Sequence, residues 1–504
     1  MKRKVIYVVL MVGLLSIPFV FQNIDIKQNR YHQHLEAYEK PACSDHDDEV
    51  FCTHLPLLSI TTEKPIPLPL YYDDLGMTIT DSRGHRLQNN TVVNAKVEYF
   101  DSDTQNNHLT DIPTVSEYAH IRGRGQTSRE YEKLNYLLKF KYEDMVTNKK
   151  VSLSGMTPDS EWALHGPFLD KTLIRNYVCY NLAGEIMEYA PNVRFCEVFV
   201  NEEYMGVYLL TEKVEFNKNG RIDIEKTNPD MDTTSYIVQI DRETKDKRAS
   251  IETFATYSYI AVNRGENRGF YQIEYPSTTL TKGQKEFIQS DISRFEKALY
   301  SYAYNDDKYG YEAYIDVDSF VDYFLINEFT LNYDAMGLST FLYRDIGDKM
   351  KLCVWDFNSA FDLYEMSVIT PETFQLQNAM WYTYLFKDKA FVDKVIQRYY
   401  ELRETYFSEE YMQNYIDETI AYLGPAVDRN YGKWGYTFSS IHEGKLYDYL
   451  APEERNPRSY EEAVAQLKNC ISERLVHMDS HIERLYTLCH DSLNKNYNYK
   501  KEKR

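Results

Sequence analysis

The sequence has no excess of basic residues and no zinc-type cysteine pattern. Its 57 lysines and arginines are outnumbered by 77 aspartates and glutamates, which gives a formal net charge of −20. Proteins that bind nucleic acids present basic faces to the phosphate backbone, so we expect no nucleic-acid partner. The 7 cysteines do not follow the spacing of zinc ligands. Cys43 and Cys52 lie in a polar segment, where they could pair in an oxidising compartment.

The N-terminus lacks a small-residue cleavage site and a cysteine for lipidation. The basic start, Met1–Lys4, precedes an apolar run from Val5 to Phe21 whose length is at the lower limit for a membrane-spanning helix. We therefore predict an uncleaved signal-anchor within residues 1–28, which contacts the membrane and leaves the body of the protein outside the cytoplasm. The alternatives are a cleaved signal, which would give a secreted protein, and an ordinary buried segment. Residues 29–60 are polar and weakly patterned, which is typical of a linker.

The rest of the chain changes from strand-like to helix-like patterns. Hydrophobic residues make up 43% of the sequence, which permits a sizeable core. β-branched and aromatic residues between turn signals dominate residues 61–310, and helical spacing dominates residues 311–490. The order predicts an α+β fold with a β-rich N-terminal half and a helix-rich C-terminal half. A basic tail follows at 491–504. The predicted helices cover residues 170–189, 285–302, 318–331, 388–406, 409–423 and 461–485.

Two aspartates flank a predicted β-hairpin with a polar turn at Asp345–Asp348. With the turn centred on Ile346-Gly347, Asp356 faces Gly337, and Asp334 lies within about 10 Å of Asp356. One metal ion with a phosphate chain can bridge such a gap. Protein kinases place a catalytic aspartate before such a hairpin and a metal-binding aspartate after it. The alternatives are two turn-capping carboxylates and the paired acids of a glycosidase, which cleaves sugars without ATP.

A second candidate is the loop Arg122-Gly123-Arg124-Gly125, which lies between two strand-like runs. Glycines let backbone N–H groups approach a phosphate, and flanking arginines neutralise its charge. Lys133 follows closely enough to reach the same phosphates. The alternatives are a plain turn and a solvent-exposed lysine.

Other polar residues are predicted to have structural roles or none. Asp170 is expected to cap a helix and to pair with Arg175. His165 lies in a loop without a visible partner. Glu212 ends a strand, where we expect a surface carboxylate rather than one that pairs with a lysine in the site.

Four segments resemble, in the same order, the spore-coat protein H family, the CotH kinases. They look like the family's Arg-Gly-x-Ser-Ser loop with the strand after it, the start of its central helix, its hairpin and its catalytic stretch. The resemblance covers roughly residues 65–490. The segments are Ile121-Arg122-Gly123 with Thr127, Ser128, Lys133, Tyr136 and Lys139; Trp162-Ala163-Leu164 with Asp170, Leu173, Arg175 and Asn176; Phe199-Val200-Asn201 with Tyr204, Gly206, Tyr208 and Glu212; and Asn327-Glu328 with Asn332, Asp334 and Val354–Phe357.

The resemblance implies an atypical bilobal protein-kinase-like fold. It also implies an enzyme that uses ATP and Mg²⁺ to phosphorylate serine or threonine on a coat, surface or secreted protein. Asp334 would be the catalytic aspartate that orients the acceptor hydroxyl, and Asp356 with Asn358 would bind the magnesium. The residues implied to meet the ATP phosphates are Arg122, Gly123, Gly125, Thr127, Ser128 and Lys133.

Three positions depart from the family pattern. Asn358 occupies the place of a second aspartate, Ser339 that of a metal-binding asparagine, and Glu202 that of a turn glycine. The first two changes weaken the oxygen ligands for a second metal ion. We therefore expect one magnesium that binds only together with ATP. The alternative function is a catalytically weak or inactive scaffold of the cell surface or spore coat that binds partners.

Overall fold

The strands form a barrel, a second sheet of five strands and a separate pair of short strands in this computed structural model. The structure describes residues 30–37, 39–41, 43, 50–81, 86–218, 220–241, 251–257, 270–364, 367–439 and 450–490. The strands in chain order are β1 (Cys52–Thr53), β2 (Leu57–Thr62), β3 (Val93–Phe100), β4 (Asn107–His108), β5 (Val115–Gly123), β6 (Tyr136–Lys141), β7 (Glu161–His165), β8 (Val193–Val200), β9 (Glu203–Glu212), β10 (Tyr236–Asp241), β11 (Thr253–Phe254), β12 (Phe270–Tyr275), β13 (Thr340–Arg344) and β14 (Lys351–Cys353).

The barrel closes in the order β2-β3-β5-β6-β7-β9-β8. Neighbouring strands are antiparallel, except that β2 and β8 are parallel. Residues of β3 alternate between buried and half-buried, as expected when one face of a strand lines a barrel. The interior is filled by large apolar side chains that include Val97, Ile121, Leu138, Trp162 and Tyr208. Because β5 ends at Gly123, the glycine- and arginine-rich loop begins at one end of this barrel.

The described residues form nine α-helices, and most of them lie in the second half of the chain. They are α1 (Gln33–Glu36), α2 (Arg175–Ile186), α3 (Lys282–Leu299), α4 (Val317–Phe329), α5 (Tyr382–Leu385), α6 (Lys389–Arg403), α7 (Glu409–Leu423), α8 (Pro425–Trp434) and α9 (Tyr460–His481). The predicted helices are all present, with ends shifted by a few residues. The side chains of Asp316, Ser408 and Ser459 cap α4, α7 and α9, which explains why these helices begin there. The sequence did not predict α8.

The second sheet combines strands from both halves in the order β11-β12-β10-β13-β14. Because β10 pairs with β13, this sheet crosses the boundary that we expected near residue 310. Ile292 of α3 and Phe324 of α4 are buried in the same core as Val238 of β10. The β-rich first half and the helix-rich second half confirm the mixed α+β fold.

The β13–β14 hairpin confirms the predicted element but not its register. Phe341 pairs with Cys353 and Tyr343 with Lys351, so the predicted pairing was wrong by one residue. The turn centres on Gly347 alone, whose φ of +79° accommodates an odd number of turn residues.

Residues 29–60, which we expected to be a linker, contribute to the fold. The Gln33 side chain accepts a hydrogen bond from the N–H of Phe195 at 2.6 Å and donates one to its carbonyl at 3.2 Å. β2 is a barrel strand, so the folded region begins before residue 61. Cys43 and Cys52 form a disulfide, as their positions allowed.

The two ends of the chain are not described by the structure. The predicted signal-anchor at 1–28 and the basic tail at 491–504 lie outside the described residues. Among the residues that are described, no helix is long and apolar enough to cross a membrane.

Candidate active site

Asp356 lies on the loop that follows β14. Its φ of +60° turns the chain sharply after Trp355, and its carboxylate is half-buried. The Asp356 N–H donates to the Tyr180 hydroxyl at 2.9 Å, and Asp356 Oδ1 accepts the N–H of Asn358 at 3.3 Å. Burial, and then the Asp356 charge, raise the pKa of Tyr180, so that its hydroxyl stays protonated.

Asn176, one helical turn before Tyr180 on α2, makes three hydrogen bonds. Its Oδ1 accepts the N–H of Phe357 at 3.1 Å. Its Nδ2 donates to Asn358 Oδ1 at 2.9 Å and to His165 Nε2 at 3.1 Å. Burial, reinforced by nearby positive charge, lowers the pKa of His165 to about 3, so this imidazole is neutral and able to accept. The structure therefore gives His165 a partner that the sequence did not reveal.

The loop that carries Asp334 lies beside the loop that follows β14. The Thr330 carbonyl, at the end of α4, accepts the N–H of Phe361 at 2.7 Å. The rings of Tyr333 and Tyr364 stack with their centroids 4.5 Å apart. These contacts bring together the two segments that carry the predicted catalytic and metal-binding aspartates.

The shape of the Asp334 loop is fixed from inside the protein. Leu331 and Met336 have φ values of +53° and +62°, which fold the chain back on itself. The N–H of Met336 donates to the Thr340 hydroxyl at 2.9 Å, and that hydroxyl also bonds to the Tyr323 hydroxyl at 2.8 Å. Asp334 is half-buried on this braced loop.

Arg124 connects the end of the barrel to the Asp356 loop. Its guanidinium lies over the Trp355 ring, 5.4 Å from the ring centroid. Burial lowers the pKa of Arg124, while the charges of Asp356 and Tyr180 act in the opposite direction. The Arg124 and Asp356 charges are therefore close enough to influence each other.

Arg122, Arg124 and Arg129 form an arginine cluster. Burial and the charges of the other two arginines lower the pKa of Arg129 to about 10. Burial and Arg124 lower the pKa of Arg122. Within the described part of the chain, none of the three makes an ion pair, whereas the buried Arg175 pairs with Asp170 at 2.6 Å as predicted. The cluster therefore keeps positive charge that no ion pair among the described residues neutralises.

The loop between these arginines is tightly built. Gly125 has a φ of +106°, and a Cβ there would lie 2.0 Å from Ser128 Oγ, so glycine is required. Thr127 starts the short 3₁₀ helix Thr127–Glu130, in which Ser128 is buried. Buried Arg129 donates to the carbonyls of Gly125 and Pro69 at 2.6 and 2.9 Å, which holds the loop closed.

Arg122 and Gly123 stand at the start of the same loop. Arg122 is half-buried and donates to the Gly123 carbonyl at 3.1 Å and to Asn90 Oδ1 at 3.4 Å. Gly123 is the last residue of β5, and a Cβ there would lie 2.7 Å from Pro69 Cβ. The acceptors of Arg122 are neutral, so they leave its charge available.

Lys133 points into the protein in this conformation. It is 1% exposed, and its Nζ donates to the Val207 carbonyl at 2.7 Å and to Asn430 Oδ1 at 2.8 Å. Burial, and then the nearby charge of Lys171, lower the pKa of Lys133. A phosphate would have to replace these hydrogen bonds in order to bind the Lys133 ammonium.

Glu212 is fully buried, so the prediction of a surface carboxylate was wrong. Its carboxylate accepts N–H groups of Thr157 at 3.3 Å and Asn192 at 3.0 Å. Because β9 lies between β7 and β8 in a closed barrel, the end of the strand remains covered.

The family model described as CotH kinase protein matches residues 121–478. The chain belongs to the CotH kinase family. The match begins at Ile121, next to the arginine cluster, and includes both candidate aspartates. Among curated proteins, none matches this chain.

Within this CotH family chain, the site contains residues that sequence reasoning did not select. In the sequence, Arg124 stands out only as part of the glycine and arginine motif, Asn176 belongs to a family segment without an implied role, and no pattern selects Tyr180. Their spacing of four residues places Asn176 and Tyr180 on one face of α2. Two polar groups on a largely buried helix were the available signal.

A metal bound here would need ligands beyond protein carboxylates. In the part of the chain that the structure describes, no group of three or more His, Cys, Asp or Glu side chains is placed to hold a metal ion. The amide oxygen of Asn358 is one such ligand at the Asp356 loop, and waters or the oxygens of a bound anion could complete the shell.

Proposed function

We propose that this chain is an ATP- and magnesium-dependent protein kinase of the CotH type that phosphorylates serine or threonine on a coat, surface or secreted protein. One observation carries the proposal. The arginine cluster, which has no ion-pair partner among the described residues, contacts through Arg124 the loop that carries Asp356. In a protein of net charge −20, such a cluster suits an anion. A polyphosphate suits it best, because guanidinium groups bind phosphates well and a neighbouring carboxylate can share a metal with them.

The oxygen donors beside the cluster fit magnesium. Magnesium usually binds one or two carboxylates together with substrate phosphates. Asp356 supplies a carboxylate, and the amide oxygen of Asn358 keeps one lone pair after accepting from Asn176. When bound, magnesium would neutralise charge on the transferred phosphoryl group.

The remaining residues have roles that follow from their positions. Arg122 and Arg124 would bind and orient the phosphates, and the loop residues Gly123, Gly125, Thr127 and Ser128 would line their approach. Asp334, on the adjoining loop, would orient the acceptor hydroxyl and take up its proton. Lys133 would contribute only if it leaves Asn430.

We also infer the arrangement and location of the enzyme. The barrel with the arginine cluster would act as one lobe of a kinase-like body, and the helical part with the two aspartates as the other. The Cys43–Cys52 disulfide supports an oxidising compartment. This agrees with a body held outside the cytoplasm by residues 1–28, or with a secreted or spore-coat protein.

Transfer of radiolabelled phosphate from ATP to a serine-rich acceptor protein tests the proposal. With magnesium present, we expect transfer by the full chain and a loss of about 100-fold or more in Asp334→Asn or Asp356→Asn. Asp223→Asn removes an exposed carboxylate that belongs to neither loop and serves as the matched control. Equal transfer by all four proteins would show that the activity does not use this site.

A second function, a binding scaffold without catalysis, is favoured by one specific observation. The Lys133 ammonium is occupied by Val207 and Asn430, and Asn358 and Ser339 are neutral where charged or amide ligands are expected. Thermal unfolding distinguishes the two functions, because a ligand stabilises the state that it binds. Stabilisation by ATP that requires magnesium supports the kinase, and no stabilisation at millimolar ATP supports the scaffold.

A further inference from the structure

We propose that Asn176 and Tyr180 are positioning residues through which α2 holds the Asp356–Asn358 loop in the conformation that binds metal and nucleotide. The inference deepens the proposed function and rests on it for the role of the loop. Neither residue would touch the phosphates or the acceptor.

Two consecutive backbone N–H groups of the loop donate to side chains on one face of α2. The N–H of Asp356 donates to the Tyr180 hydroxyl at 2.9 Å, and the N–H of Phe357 donates to Asn176 Oδ1 at 3.1 Å. Because Asn176 and Tyr180 are four residues apart, they lie one above the other on α2. Beyond the end of β14, side chains of α2 therefore accept the backbone N–H groups that a neighbouring strand would otherwise accept.

The amide of Asn176 has one orientation that satisfies its hydrogen-bond partners. Its Oδ1 must face the Phe357 N–H, so its two Nδ2 hydrogens must face acceptors. They find Asn358 Oδ1 at 2.9 Å and His165 Nε2 at 3.1 Å. This network fixes the orientation of the Asn358 amide, with its oxygen toward Asn176.

The loop adopts a backbone conformation that its neighbours must stabilise. Asp356 has a φ of +60°, which is unfavourable for a residue with a Cβ. Asn176 and Tyr180 are 6% and 3% exposed, so water does not compete for their bonds to the loop. Tyr180 also packs edge-on against the ring of Phe357 at 5.3 Å. Without the two hydrogen bonds, we expect the loop to leave this conformation.

The test compares the full chain with Asn176→Ala and Tyr180→Phe. Tyr180→Phe keeps the ring and its packing, so it covers the case in which Asn176→Ala does not fold. Glu185→Gln is the matched control, because Glu185 lies on the same helix but binds His32 and Tyr406 instead of the loop. Two quantities are measured: hydrogen exchange of the Asp356 and Phe357 amides without ligand, and the magnesium concentration for half-maximal ATP-dependent activity.

We expect both variants to exchange the affected amide about tenfold faster and to need about tenfold more magnesium, with little change in the control. Unchanged exchange overturns the inference. Faster exchange with an unchanged magnesium requirement also overturns it, because the two hydrogen bonds from the loop to α2 would then have a structural role only. If the wild-type chain does not respond to magnesium and ATP, the proposed function fails, and exchange alone decides whether α2 holds the loop.

Discussion

Asn358 is a neutral residue in the loop after β14, two positions beyond the charged Asp356. The CotH resemblance places an aspartate there, and the structure shows that its side-chain oxygen accepts from Asn176 Nδ2. An aspartate could accept the same hydrogen bond, since either carboxylate oxygen can face Asn176. The neutral amide therefore lowers the negative charge offered to a cation without being required by its neighbours.

Asn358→Asp should tighten magnesium-dependent ATP binding by about tenfold, because a charged ligand replaces a neutral one beside Asp356. Isothermal titration of ATP with and without magnesium measures the effect. Asn228→Asp adds the same charge at an exposed site and should leave binding unchanged. If Asn358→Asp shows equal or weaker affinity, residue 358 does not belong to the metal site.

The turn of the β8–β9 hairpin holds one residue in an unfavourable backbone conformation. Its two turn residues, Asn201 and Glu202, have φ values of +51° and +67°. This is the geometry of a tight turn that favours asparagine followed by glycine. Asn201 suits the first position, but Glu202 pays the steric cost of a left-handed conformation with a Cβ.

Glu202→Gly should therefore raise the free energy of unfolding by about 1 kcal/mol. The gain is the relieved backbone strain less the entropy that glycine adds to the unfolded chain. Urea unfolding followed by circular dichroism measures it. Asn201→Gly changes the other turn position, loses the hydrogen bond that the Thr62 N–H donates to Asn201 Oδ1 and should not stabilise the protein. A destabilised Glu202→Gly variant would contradict the explanation.

Elements whose signal is local were predictable from the sequence, and contacts between distant elements were not. Helices α4, α7 and α9 have side-chain caps and regular apolar spacing, so their starts were visible. The β13–β14 hairpin was visible too, but its register depends on the conformation of Gly347, which no pattern encodes. The candidate aspartates were identified because they flank that hairpin.

Lys133 illustrates what the sequence concealed. Its partner Asn430 is 297 residues away and lies on α8, a short helix that was not predicted. Glu212 was misjudged for a similar reason, because barrel closure, not local polarity, buries it. Asn176 and Tyr180 likewise acquire their roles only when the chain returns to α2 after β14.

At the scale of the whole molecule, a buried ion pair supports the site from a distance. Arg474 of α9 and Glu328 of α4 are fully buried and 2.9 Å apart. The Arg474 Nε also donates to the Glu328 carbonyl at 3.0 Å. Because α4 leads directly into the Asp334 loop, the last long helix of the described chain anchors the start of that loop. Removing one partner would leave a buried charge uncompensated.

The whole molecule should also lose stability in mild acid, because three histidines stay neutral in the folded chain at pH values where the unfolded chain protonates them. Burial, assisted by neighbouring positive charge, lowers the pKa of His34 to about 4, that of His165 to about 3 and that of His477 to about 4. The unfolded chain binds these protons from pH 6.5 downward, while the folded chain does not. The free energy of unfolding should therefore fall as the pH drops from 6.5 to about 4.

His34 gives this prediction a specific test. Its Nδ1 bonds to the Tyr177 hydroxyl at 2.8 Å, and its Nε2 is buried without a hydrogen-bond partner among the described residues. Since the folded pKa lies below the unfolded value, His34 stabilises the protein above pH 6.5, and this contribution is lost on acidification. Between pH 7 and pH 4.5, we expect roughly 2 kcal/mol of the loss in the wild type to be absent in His34→Gln.

Urea unfolding at a series of pH values measures this difference in the free energy of unfolding. The interval from pH 7 to 8 is the internal control, because neither protein should show a histidine-dependent slope there. Parallel curves for the two proteins below pH 6.5 would mean that His34 is protonated in the folded chain and that the packing around Tyr177 accommodates its charge.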